Sequence, residues 1–117
     1  MDVQTTHDLP IVCDLTALDA AARSTHLEAA RQLLREDALE VQEVADGYAF
    51  RYMAAQFAQV TEFIANERLC CPFFTFVLEV TPAQGPIWLR MTGGTGVKDF
   101  LQCELSQCSC SQKGESK

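Results

Sequence analysis

Two adjacent thiols, Cys70 and Cys71, sit inside the run Glu67-Arg68-Leu69-Cys70-Cys71-Pro72-Phe73-Phe74, and Cys103, Cys108 and Cys110 fall within the last fifteen residues. A sixth cysteine, Cys13, stands alone near the start. Thiols grouped in this way, in a chain with little else of catalytic type, point to soft-metal or redox chemistry. A soft cation displaces the thiol proton itself, so the site needs no intrinsically acidic thiol. Thiolate is the preferred ligand of Cu(I) and Zn(II) and, by the same softness, of Hg(II) or As(III). Side chains of adjacent cysteines diverge from one short backbone unit, so a third thiol is expected from the tail. The expected metal ligands are therefore Cys70, Cys71, Cys103, Cys108 and Cys110.

Other uses of the pair are weaker. Adjacent Cα atoms lie about 3.8 Å apart, whereas a disulfide usually wants about 4.4–6.8 Å. A permanent Cys70–Cys71 bond is not expected, and a transient one, resolved by a tail cysteine, is the alternative reading as a thiol-disulfide redox module. A nucleophilic thiolate is disfavoured: the pair falls at a helix C-terminus, the negative end of the dipole, and Glu67 shares its face. Arg68 offsets this only in part. His7 and His26 are remote in sequence and show no orienting partner. Packing competes at each site, because cysteine is often buried as a small hydrophobe. It is the better reading for Cys13, an equal one for Cys103, and a contender for Cys70 and Cys71 beside Phe73 and Phe74. Cys108 and Cys110 have no core to join. Glu67 reads as a solvated residue or salt-bridge partner, with room for a role at the site. No C-x-x-C pair of zinc-ribbon type is present.

The elements that must position these residues follow from periodicity. Pro10 to Leu15 suits a first strand, and Thr16 with Asp19 resembles a capping box. Ala17 to Arg35 is rich in helix formers, with Leu18, Ala22, Leu27, Ala30 and Leu34 along one face. Leu39 to Val44 and Tyr48 to Met53 read as a hairpin turning at Asp46-Gly47. Ala55 to Cys70 is the second helix, its stripe of Phe57, Val60, Ile64, Glu67 and Cys71 leading to the thiols, and Pro72 ends it. Phe73 to Thr81, a turn at Pro82 to Pro86, and Ile87 to Thr92 form a second hairpin. Gly93-Gly94-Thr95-Gly96 turns the chain into a short last helix. The glycines lack the Walker pattern and so are read as a turn. The order β-α-β-β-α-β-β-α predicts an α+β fold: a ferredoxin-like antiparallel sheet with helices on one face and an added strand and helix. Residues 1–105 form one domain and 106–117 a flexible, cysteine-containing tail.

Composition narrows the partners. Nine Lys and Arg stand against sixteen Asp and Glu, a net charge of −7 in 117 residues. That balance opposes nucleic acid and anionic membranes and attracts cations. No apolar run approaches the ~20 residues of a membrane span, and the polar start lacks the pattern of a secretory signal. The expectation is a cytoplasmic protein whose cysteines act as ligands or redox thiols in preference to a disulfide framework. The expected partner is a metal ion, and a homodimer stays open.

The run at 67–74, with Gly-Pro-Ile-Trp-Leu-Arg-Met-Thr-Gly at 85–93 and Gly-Val-Lys-Asp-Phe-Leu at 96–101, resembles small bacterial proteins of unknown function loosely associated with heavy-metal, including mercury, resistance. The resemblance covers about the second half of the chain. It implies thiol ligation at Cys70 and Cys71 and gives no established activity. Together with the clustered thiols, it makes the expected function binding of a thiophilic ion, mercury(II) first, for sequestration or delivery and not for turnover.

Overall fold

A computed structural model describes residues 14–105. Helix α1 spans Ala20–Arg31 and continues as a π-helical turn over Gln32–Asp37. Strands β1 (Glu40–Val44) and β2 (Gly47–Tyr52) follow, then α2 (Phe57–Cys70), β3 (Thr75–Val80), β4 (Ile87–Thr92) and α3 (Val97–Leu105). The class is α+β. The expected strand at residues 10–15 meets a 3-10 turn at Leu15–Ala17, and residues 10–13 lie outside the described residues.

Asp19 caps α1 by accepting the Ala22 N–H at 2.8 Å, which satisfies one of the helix's open donors. Thr16, expected as the cap, instead hydrogen-bonds Asp14 through its N–H and hydroxyl. In the π-helical turn the Leu33 carbonyl accepts the buried Tyr52 hydroxyl at 2.9 Å, tying the helix to the sheet. Burial, helped by the Asp37 charge, holds that hydroxyl protonated well above the usual phenol range.

The sheet is antiparallel throughout, in the order β1-β2-β4-β3. A ferredoxin-like sheet would set the strand before the first helix beside residues 47–52. Here β1 and β4 already occupy both flanks of β2, so the described residues form two hairpins joined edge to edge instead. Val44 pairs with Gly47, which makes Ala45-Asp46 the two-residue loop, one position earlier than expected. Gly47 is required by close approach: a Cβ there would lie 1.9 Å from the Met91 carbonyl oxygen on β4.

Residues of alternating register face the helices. Phe50 pairs with Leu89 and Tyr52 with Ile87, and all four are fully buried. Against them pack Leu33, Val60, Phe63, Cys70, Cys71, Val97 and Leu101, so the helices cover one face of the sheet, as expected. The other face carries Ala49, Arg51, Arg90 and a half-buried Trp88, with the Arg51 guanidinium 6.0 Å from the Trp88 ring. Gly96, with φ 95°, turns the chain from β4 into α3, as the glycine run predicts.

Candidate functional site

Helix α2 ends where the sequence says it must. Proline disfavours helical geometry in the residue before it, and Cys71 leaves the helix at φ −128°, ψ 72°. Its N–H still donates to the Glu67 carbonyl at 2.7 Å, and the Cys70 carbonyl accepts the Asp14 N–H at 2.6 Å. The two cysteines are thereby fixed at the junction of α2 with the sheet. Both are buried, Cys70 at 1 % and Cys71 at 3 % exposure.

The buried face of α2 is Val60, Phe63, Glu67 and Cys70, at spacings of three, four and three. Against it α1 sets His26, which is 2 % exposed. The imidazole stacks on the Phe63 ring, centroids 5.6 Å apart, and its Nε2 lies 2.7 Å from Glu67 Oε1. One turn on, Cys70 Sγ is 3.9 Å from the same Oε1 and 3.8 Å from Cys71 Sγ. Ligand atoms of His26, Glu67 and Cys70 all lie within 4.8 Å of one another, and all three residues are buried. Glu67, read from the sequence as a solvated residue or an ion-pair partner, is 8 % exposed and pairs with His26, so the second reading fits and the first does not.

One atom of this cluster has no partner. His26 Nδ1 is buried and makes no hydrogen bond among the described residues. Its ring's other nitrogen is committed to Glu67, so Nδ1 is left unmet whether it bears a proton or a lone pair. Such a group costs about 1–3 kcal/mol in a protein interior, and natural cores keep few of them.

The thiols are not equivalent. Cys70 is free, whereas Cys71 and Cys103 are disulfide-bonded. Burial, reinforced by the Glu67 charge, pushes the Cys70 thiol up to about 11. Both causes penalise the thiolate, as expected of a thiol at a helix C-terminus beside a carboxylate. Cys70 is therefore a protonated thiol at neutral pH until something positive replaces the proton.

Of the five expected ligands, the structure brings Cys70 and Cys71 together without a bond between them. Cys103 sits half-buried on α3, outside the His26–Glu67–Cys70 cluster. Cys108 and Cys110, like Cys13, His7 and the expected flexible tail, lie outside the described residues. Cys71 and Cys103 are disulfide-bonded, and a bridged sulfur is not a thiolate. Sequence reasoning missed His26. Its signal was its place four residues after Ala22 and seven before Leu33, on the face that α1 buries.

No helix among the described residues is long and apolar enough to cross a membrane. Comparison of the chain with protein-family models, with curated proteins and with solved structures finds no match.

Proposed function

We propose that this protein binds a thiophilic metal cation at Cys70, with Glu67 and His26 as the accompanying donors, for sequestration or delivery. The observation that carries this reading is a buried sulfur, carboxylate and imidazole within 4.8 Å of one another, beside an imidazole nitrogen with no partner. A divalent ion replaces the Cys70 proton that burial and the neighbouring Glu67 otherwise hold in place. Mixed S, N and O donors suit zinc(II) and softer ions. The chain's net charge of −7 attracts such cations from solution. The resemblance of residues 67–74 to proteins associated with mercury resistance points the same way and keeps mercury(II) among the ions to test.

A second reading, thiol-disulfide exchange, is favoured by the free Cys70 sulfur lying 3.8 Å from the sulfur of disulfide-bonded Cys71. Its weakness is the thiol itself. With a value of about 11, the thiolate fraction at pH 7 is on the order of 10⁻⁴. Metal binding needs no standing thiolate population, which places it first.

The test is titration of the full chain with Hg(II), Zn(II) and Cu(I), followed by sulfur-to-metal charge-transfer absorption and by competition with a chromophoric chelator. One equivalent should bind, and Cys70→Ser should weaken both the affinity and the charge-transfer band. Unchanged affinity in Cys70→Ser would remove Cys70 as the ligand. Reversible oxidation of Cys70 with no metal uptake would favour the redox reading.

A further inference from the structure

We propose that Cys71 is a fourth donor of this site, released by reduction of its disulfide, and that the reduced cluster takes a four-coordinate divalent ion of zinc type. The inference rests on the metal-binding reading above and adds what switches the site and which coordination it adopts.

The sulfur separation is the main argument. With metal–sulfur bonds of about 2.3 Å and tetrahedral angles, two thiolates on one ion stand about 3.8 Å apart. Cys70 Sγ and Cys71 Sγ are 3.8 Å apart already. A two-coordinate linear ion with bonds of that length would need about 4.6 Å, so the pair is spaced for the tetrahedral case. The edges from Cys70 and from His26 to the Glu67 carboxylate need small adjustments. A tetrahedral ion sets sulfur and carboxylate oxygen about 3.5 Å apart and nitrogen and oxygen about 3.3 Å apart, against 3.9 Å for Cys70 to Glu67 and 2.7 Å for His26 to Glu67.

The disulfide decides whether that fourth donor exists. A bridged sulfur carries no negative charge and is a poor ligand, so among the described residues the oxidised site offers Cys70, Glu67 and His26. Two-electron reduction by a dithiol converts the bridge to two thiols while the dithiol becomes a disulfide. Cys71 can then give up its proton to solvent as the ion binds, as Cys70 does. Reoxidation reverses the sequence: two thiols lose two electrons and two protons, one ligand is withdrawn, and the ion is weakened in its site. The cluster is thus a metal site that opens in reducing conditions and releases on oxidation.

The experiment compares the oxidised full chain with the same chain reduced by a phosphine, which becomes the phosphine oxide by taking oxygen from water. Zn(II) affinity is measured by chelator competition and proton release by pH-stat, with Co(II) as the spectroscopic probe. The reduced chain should bind Zn(II) at least tenfold more tightly, release one more proton per ion, and give tetrahedral Co(II) bands with stronger sulfur charge transfer. Cys71→Ser should show no response to reduction. Equal affinity and equal proton release in the two states overturn the proposal, as does a response that survives in Cys71→Ser. Should Cys71→Ser fail to fold by circular dichroism, the wild-type proton count and Co(II) spectra decide alone. Absence of metal binding in both states would overturn the underlying reading as well, a distinct result from binding that ignores reduction.

Discussion

His26 Nε2 lies 2.7 Å from Glu67 Oε1, a buried contact that joins α1 to α2 across 41 residues of chain. Removing one member of such a pair strands the other in apolar surroundings. Glu67→Leu should cost about 3 kcal/mol of stability, and the double change His26→Phe with Glu67→Leu should recover much of it. Urea unfolding of the metal-free chain measures both. A Glu67→Leu protein as stable as the wild type would show that the contact holds nothing together.

Cys70 should resist alkylation in the folded chain. Its thiol is pushed up to about 11 by burial first and the Glu67 charge second. Iodoacetamide labelling, read peptide by peptide, should stay slow at pH 8 and accelerate only toward pH 11. Glu67→Gln removes the second cause and should move the labelling profile to lower pH. An unmoved profile would assign the shift to burial alone.

The same shift makes stability pH-dependent with a definite sign. The folded chain holds a proton on Cys70 that the unfolded chain loses at its ordinary value near 9. Stability from this source is complete below about pH 9 and is lost as pH rises toward 11. Cys70→Ala should flatten the decline in the unfolding midpoint between pH 9 and 11. An identical decline in that variant would place the proton elsewhere.

The β3–β4 turn carries a removable strain. Ala83 and Gln84 stand at φ 59° and 60°, in the left-handed region, which costs a residue with a Cβ roughly 1 kcal/mol or more. Gln84→Gly should therefore raise stability by about 1 kcal/mol, seen as a higher thermal midpoint. Gly47→Ala should do the opposite, because its Cβ meets backbone on β4. A neutral Gly47→Ala would mean that β4 can move away at no cost.

The hairpins, the end of α2 and the covered sheet face were legible because local rules decide them: alternation, a two-residue turn, and a proline at position 72. Helix phase was harder. Counting from Leu18 along α1 puts Leu27 on the inner face, yet Leu27 is 48 % exposed and His26 is buried. The alanines between them cannot fix a phase, and Leu18 lies before the helix begins at Ala20. In α2 the buried stripe takes in Phe63 and Cys70 beside Val60 and Glu67, Cys71 is buried just past the helix end, and Phe57 is 46 % exposed. A histidine on an apolar face adds nothing to hydrophobic periodicity. Its partner, Glu67, sits on another helix, so the pairing appears only when α1 and α2 pack. Sheet order was likewise set by β2 meeting β4, a contact between hairpins that no local signal encodes.

X-ray absorption at the metal edge of the zinc-loaded, reduced chain reads the donor atoms themselves. Sulfur scattering is expected at about 2.3 Å together with nitrogen or oxygen at about 2.0 Å, the sulfur contribution falling in Cys70→Ser and the imidazole contribution in His26→Ala. A shell of oxygen alone, unaltered by either substitution, would contradict metal binding through Cys70 and His26.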